Sequence, residues 1–395
     1  MMDKVRIAID ALIMDKRKAG IGNYAFHLLQ EMNKLSHGLD MDVYIQRQMH
    51  PYFQSGGTMR FLSCPDFKGS RDRILYEQFH MPREYGRRGY SIVHFLDYLS
   101  PIAPIRSQKV VTIHDLSYFV YPEFFTTGSR LLKQLLTGPG IRSAVRVICV
   151  SNHTKSDVQR LYHTADKVRV IPLGVEPDPS VQNGIRDGKA ESNEAEGKAL
   201  DRYGIRGSYI LYTGTLEPRK NIAALVRAFR IAVEKGNIPQ SLVLCGKPGW
   251  KQEGIYREIE ASGLRGRILL TGYVPDEELP VLFRHADAFV YPSLYEGFGL
   301  PPLEAMAHGV PVICSNVSSL PEVAGDAALT FSPEDEEMLA AHIIRLMNEP
   351  GLREELRQRG YRQASRFTWE KTARRTIEVY RELLPDRDVC PGING

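Results

Sequence analysis

Short runs of β-branched and aliphatic residues alternate with longer stretches of helical periodicity along nearly the whole chain. In the first half the runs are VRIAID (5–10), DVYIQ (42–46), SIVHFL (91–96), KVVTIHD (109–115), VRVICVS (145–151) and VRVIPLG (168–174). In the second half they are YILYTG (209–214), LVLCG (242–246), RILLTG (267–272), AFVYPS (288–293), PVICS (311–315) and ALTFS (328–332). Near-continuous apolar runs separated by helices predict strands buried on both faces of parallel sheets. Between the two sets lies a stretch poor in aromatic and large aliphatic residues, 176–204, which reads as a mobile linker with a short helical piece. The pattern predicts an α/β chain built from two copies of one doubly wound architecture. The expected divisions are a first domain over 1–178, a linker over 179–204 and a second domain over 205–368. A terminal helix over 369–386 carries Trp369, Ala373, Ile377, Tyr380 and Leu384 at helical spacing, and is expected to bury that face by crossing back onto the first domain.

Composition narrows the class. At 395 residues, 43% hydrophobic and 25% charged, the chain is ordinary for a soluble two-domain protein. No apolar run approaches the roughly 20 residues of a spanning helix, and the opening MMDKVRIAID has no apolar signal region. Cys64, Cys149, Cys245, Cys314 and Cys390 are odd in number and widely spaced, so neither a disulfide framework nor a zinc site is expected, and a cytoplasmic location fits. Residues 1–178 hold 24 of the 51 Lys and Arg and 17 of the 47 Asp and Glu, an excess of +7 that leaves the remainder at −3. A basic first half suits an anionic partner or surface, although a solvated basic face reads the same way. Nothing in it calls for nucleic acid.

Ligands of open α/β sheets bind beyond the carboxyl ends of strands, and five loops there carry chemistry. Gly20-Ile21-Gly22 opens a helix at Asn23 and lets backbone amides approach a phosphate; the spacing lacks the third glycine of a dinucleotide site. His114 and Asp115 end an apolar strand, where an imidazole can reach a ligand. Glu217-Pro218-Arg219-Lys220 places two cations before a helix, against the dipole preference, a placement that suits a diphosphate. Tyr273 and Val274 end a strand and can offer backbone groups to a flat ring, with Asp276 as the expected N-cap. The fifth is YPSLYEGFGLPPLEAM, 291–306. It puts Glu296 in a Gly-flanked loop, the amides of Phe298, Gly299 and Leu300 before a Pro-initiated helix, and Glu304 in that helix's opening turn. A helix-start Glu is favoured by the dipole without any function; Glu296 has no such support. Cations, helix termini, carboxylates and a His together describe a sugar nucleotide held between two domains. No metal is required, and the two D-x-D matches, Asp40/Asp42 before an early strand and Asp386/Asp388 in the tail, read as chance.

The E-x7-E from Glu296 to Glu304, followed by GFGLPPLEAMAHGVPVICSNVSSLPEVAGDAAL and preceded by LYTGTLEPRKN, resembles glycosyltransferase family 4. AGIGNY, YEQFHMP, TIHDLSYFVYPEFF, VSNHTKSDV and FTWEKTA are also similar to family patterns, so the likeness covers nearly the whole chain. The resemblance implies the GT-B fold, two facing Rossmann-like domains with a cleft between them, and a retaining, metal-independent transferase without a cofactor. It assigns Arg219 and Lys220 to the donor diphosphate and Glu304 to the ribose. Glu296 and the amides of Phe298, Gly299 and Leu300 would hold the donor sugar, Gly20, Ile21 and Gly22 would approach the diphosphate, and His114 would lie beside the reacting carbon. The first glycine of the family's usual pair is Ala19 here.

The likeness is nearest to bacterial mannosyltransferases of O-antigen, capsule and exopolysaccharide assembly. GDP-mannose is therefore the expected donor and a glycan or lipid-linked sugar the expected acceptor, with a peripheral contact at the inner membrane. A UDP-sugar donor of glucose type is the alternative, and a UDP-sugar epimerase of the same fold is another. The expected chemistry is a same-face displacement, with a Glu296 nucleophile as its competitor. Lys220→Ala is expected to cost turnover far more than folding stability.

Overall fold

Two wholly parallel sheets organise the computed structural model of the chain, which describes residues 5–16, 20–53, 59–164, 166–178 and 194–384. The first sheet comprises β1 (Arg6–Asp10), β2 (Asp40–Gln46), β3 (Met59–Cys64), β4 (Ile92–Phe95), β5 (Gln108–Ile113), β6 (Arg146–Cys149) and β7 (Val168–Val170), in the order β3-β2-β1-β4-β5-β6-β7. The second comprises β8 (Tyr209–Thr213), β9 (Ser241–Cys245), β10 (Ile268–Gly272), β11 (Ala288–Tyr291), β12 (Val312–Ser315) and β13 (Ala328–Phe331), in the order β10-β9-β8-β11-β12-β13. Each sheet winds outward in both directions from its first strand, so each has a switch point, between β1 and β4 and between β8 and β11. That is where an open α/β sheet binds ligands. The central strands are buried on both faces, from Ile7 to Ile9 in β1 and from Tyr209 to Tyr212 in β8, which is why their sequences read as unbroken apolar runs.

The chain separates into two compact units, 1–174 together with 369–395, and 175–368. In the first, the terminal helix Trp369–Arg381 packs on the helix Ile21–Lys34, burying Trp369, Ala373, Ile377 and Tyr380. In the second, the helix Glu194–Arg202 is tied down by Glu196, which pairs with Arg284 at 2.5 Å. Residues 179–193 of the expected linker, Ala19, Cys390, Asp386 and Asp388 lie outside the described residues. The other four cysteines are buried thiols.

Sequence patterning missed β3. Exposed Arg60 and Ser63 interrupt its buried positions Met59, Phe61 and Cys64, so this edge strand offers no continuous apolar run. Its partner begins earlier than expected. Asp40 and Asp42 belong to β2 itself, and Asp42 is buried, accepting from Arg6 at 2.6 Å, Arg60 at 2.7 Å and the Tyr90 hydroxyl at 2.6 Å. The first D-x-D is thus a fold element. Asp276 is not an N-cap either; the next helix, Leu279–His285, begins after Glu278. Among the described residues no helix is long and apolar enough to cross a membrane.

Candidate functional site

In the second unit β8 is followed by Gly214, whose backbone lies so close to the loop after β9 that a Cβ on Gly246 would sit 1.9 Å from the Gly214 carbonyl oxygen. This approach needs glycine. Beyond it, Pro218–Lys220 form a single 3-10 turn and Asn221, at φ 54°, redirects the chain into the helix Ile222–Gly236. Arg219 and Lys220 therefore lie in the turn before the helix and not in its first turn.

Both cations converge on Glu296. Lys220 Nζ donates to Glu296 Oε1 at 2.6 Å and to the Tyr291 hydroxyl at 2.7 Å. Arg219 donates through one guanidinium nitrogen to the Tyr295 carbonyl at 2.6 Å and to Glu296 Oε2 at 3.3 Å, and through the other two to Glu217 Oε1. Lys220 and Glu296 are both more than nine-tenths buried. Burial alone would raise the Glu296 carboxyl, but Lys220 and Arg219 outweigh it and hold it down to about 2, so the group is ionised at any physiological pH. Burial and the neighbouring Arg219 lower the Lys220 ammonium. Two cations face two carboxylates here.

The backbone around Glu296 is held as firmly as its side chain. Ser318 Oγ accepts from the Glu296 amide at 2.9 Å, and Ser319 Oγ donates to the carbonyls of Glu296 and Phe298. Gly299 is at φ 104°, and a Cβ there would meet Leu320 Cδ2 at 2.7 Å. The helix Leu300–Ala307 follows, with Pro301 and Pro302 in its first turn. Since neither proline has an N–H, the amides of Phe298, Gly299 and Leu300 are the donors this helix start can offer, and they take no backbone partner among the described residues.

Glu304 is the fifth residue of that helix, in its second turn and not its opening one, so the dipole does not account for it. Burial, with a smaller contribution from Asp276, raises its carboxyl to about 7. Tyr273 and Val274 follow β10. Val274 is buried, whereas the Tyr273 ring is 45% exposed, with Lys247 Nζ 4.2 Å from its centroid.

In the first unit Gly20, at φ 56°, precedes the helix Ile21–Lys34, so Ile21 and Gly22 are its first residues. The preceding loop is braced by Gln46, which donates to the carbonyls of Leu12 and Met14. His114 follows β5. Its Nε2 lies 2.9 Å from the Leu96 carbonyl, which can only accept, so Nε2 carries the proton and Nδ1 is left as an acceptor. Burial lowers the imidazole, keeping it neutral. Asp115 instead caps its own turn, accepting from the amide and hydroxyl of Ser117. The structure thus joins Arg219, Lys220 and Glu296 in one buried cluster. Sequence reasoning gave no role to Glu217, Tyr291, Ser318 or Ser319, which hold that cluster. Glu217 and the two serines sit inside the quoted motifs, but nothing in their residue type separates a brace from a loop formation.

The chain matches two family models: residues 19–179 that of Glycosyltransferase Family 4, and residues 204–363 that of Glycosyl transferases group 1. It is 34% identical to O-antigen chain mannosyltransferase B of Escherichia coli, over 92% of this chain and 96% of that one. It is 27% identical to O-antigen chain mannosyltransferase RfbU of Salmonella typhimurium, over 62% of this chain and 63% of that one. The sucrose-phosphate synthase of Thermosynechococcus elongatus has the same fold, with a TM-score of 0.71 at 22% identity, covering 96% of this chain and 99% of that one. With the E-x7-E loop, the LEPRKN turn and two Rossmann-like sheets all in place, the chain belongs to glycosyltransferase family 4 and has the GT-B fold.

Proposed function

We propose that this glycosyltransferase moves mannose from GDP-mannose, with retention of anomeric configuration, onto a glycan or lipid-linked saccharide in bacterial surface-polysaccharide synthesis. The relative matched almost end to end, a mannosyltransferase of O-antigen chains, supports the sugar and the pathway class. The observation that carries the donor site is the buried Lys220–Glu296–Arg219 cluster beside three amides that take no backbone partner. In this reading Glu296 accepts from donor-sugar hydroxyls. The Phe298, Gly299 and Leu300 amides hold the sugar from the helix start, and Arg219 and Lys220 supply the positive charge that meets the diphosphate. Glu304 accepts from the ribose, and Tyr273 and Val274 border the base. The family pattern assigns Gly20, Ile21 and Gly22 to the diphosphate and His114 to the donor sugar.

The anomeric carbon–phosphate bond breaks as the acceptor oxygen bonds to the same face, and the acceptor's proton passes to the departing phosphate oxygen. A Glu296 nucleophile is the less favoured route, because both of its carboxylate oxygens are engaged by cations and its basicity is low. The fixed cations instead stabilise leaving-group charge. With a lipid-linked acceptor the enzyme would work peripherally at the cytoplasmic face of the membrane.

A thermal-shift panel of GDP, UDP, ADP and dTDP with their sugar conjugates tests the donor. Stabilisation by GDP and GDP-mannose is expected. A preference for UDP would keep the fold and move the donor to a UDP-sugar.

A further inference from the structure

In the first unit the terminal helix reaches the His114 loop through a chain of buried polar and aromatic contacts. Thr112 lies near the end of β5 and His114 just beyond it, two residues on. Tyr24, on the helix that opens at Gly20–Gly22, meets both. Its ring stands edge-on to the His114 imidazole with centroids 4.7 Å apart, and its hydroxyl lies 3.4 Å from Thr112 Oγ1. Thr112 Oγ1 is also 2.8 Å from His94 Nε2, and His94 Nδ1 is 2.6 Å from the hydroxyl of Tyr380 on the terminal helix. On the other side of Tyr24 sits Trp369, 6.3 Å away and stacked on His27 at 5.1 Å, one turn along the same helix. Tyr24, Trp369, Thr112, His94 and Tyr380 are all nine-tenths or more buried.

Burial holds His94 down to about 3, so the ring is neutral and has a single N–H. One of its nitrogens donates and the other accepts, which makes Tyr380–His94–Thr112 a directional relay of hydrogen bonds and not a set of interchangeable ones. A hydrophobic seam would bury the helix equally well without partnering constraints. What the polar chain adds is a defined position for Tyr24, and with it a defined plane for the imidazole, whose Nε2 is already tied to Leu96.

We infer that Tyr24 is a positioning residue for His114, and that the terminal helix sets it through Trp369 on one side and the Tyr380–His94–Thr112 relay on the other. Tyr24 also lies two residues beyond Gly22, so one side chain registers the imidazole against the glycine loop assigned to the diphosphate. The inference rests on the proposed placement of His114 beside the donor sugar. Misplacing a reacting group by an ångström can cost up to 100-fold in rate, so the effect belongs in turnover, with binding left intact.

The test is a double-mutant cycle on the full-length enzyme, with GDP-mannose as donor. Tyr24→Leu and Tyr380→Phe are each combined with His114→Ala, and kcat, donor KM and thermal stability are measured for all. Tyr380→Phe removes one hydroxyl and keeps the ring, which guards against a Tyr24 variant that does not fold. The expected result is a fall in kcat of ~10-fold or more for either single variant, donor KM within about twofold, and no further loss in the His114→Ala background. Tyr24→Phe keeps the ring edge against His114 but cuts the hydroxyl link to Thr112, so its kcat should fall about as far as that of Tyr380→Phe. Equal fractional losses in both backgrounds would show a purely structural role and overturn the inference. If His114→Ala itself leaves kcat unchanged, the placement of His114 fails first, and the inference with it.

Discussion

A lysine assigned from sequence to a diphosphate turns out to be buried against a carboxylate, and that changes what its removal should do. Lys220 and Glu296 neutralise each other out of water, so deleting one partner strands the other. Lys220→Ala is therefore expected to cost ~3 kcal/mol or more of stability as well as turnover. The discriminating variant is Lys220→Met with Glu296→Gln. Urea denaturation should show much of the single-mutant loss recovered, while turnover stays down by ~100-fold or more. Turnover that returned with stability would make the pair structural.

Glu304 makes a second prediction at the same scale. Its carboxyl is raised to about 7, so around neutrality it is partly protonated. The raised value favours the fold while the group is neutral. That contribution is complete below the unfolded value near 4.5 and is lost as pH rises through about 7. Ribose hydroxyls donating to the carboxylate favour its ionised form. GDP binding at pH 6.5 should therefore release a proton, and affinity should tighten as pH climbs from 6 to 8. Titration calorimetry in buffers of different ionisation enthalpy measures the release directly, and Glu304→Gln should abolish it. A proton count of zero in the unmodified protein would remove Glu304 from the ribose.

At the level of elements, the loop–helix unit around Gly299 shows what was legible in sequence and what was not. The glycines and paired prolines of GFGLPP announce a tight loop and a helix start, and both are present. The Cβ clash with Leu320 could not be read, because it depends on a helix twenty residues later packing under the loop. The same division runs through the fold. Among the described residues twelve of the thirteen strands coincide with apolar runs, and nine of those twelve are central strands, whose burial on both faces advertises them. Edge strand β3 is broken by exposed Arg60 and Ser63 and escapes notice. Likewise the charged residues of the site stood out by type, whereas Tyr291, Ser318 and Tyr24 act by position. Gly299→Ala faces both a φ of 104° and a 2.7 Å contact. It is expected to cost about 1–3 kcal/mol and to weaken GDP-mannose more than GDP, because the displaced amides are the ones proposed to hold the sugar. Adding Leu320→Ala relieves the contact but not the backbone, so only part of the loss should return.

Over the whole molecule the charge is divided, with +7 in residues 1–178 and −3 in the rest, and the exposed apolar side chains of the basic part have a pattern. Leu131, Leu132 and Leu135 stand 44–58% exposed on the helix Thr127–Ser143, and Leu75 and Phe79 are 50% and 65% exposed on the helix Ser70–Phe79. Arg71 and Arg83 lie exposed beside the second group. Isolated exposed leucines need no explanation. Three within five residues of one helix, in the half of the chain with the positive excess, match an anionic lipid surface, which offers both negative charge and an apolar layer. Each cation near such a surface contributes about 1 kcal/mol, screened within a Debye length of ~8 Å at physiological salt. Full-length protein should therefore sediment with vesicles containing anionic phospholipid at low ionic strength, bind less as salt rises, and bind little to neutral vesicles. Replacing Leu131, Leu132 and Leu135 together by Gln should reduce binding at every salt concentration while leaving the GDP thermal shift unchanged, because none of those side chains is among the residues proposed to hold the nucleotide. Retention of binding by the triple variant would shift the contact to the cations alone. Failure of the unmodified protein to sediment would mean that the acceptor is met in solution and not at a membrane.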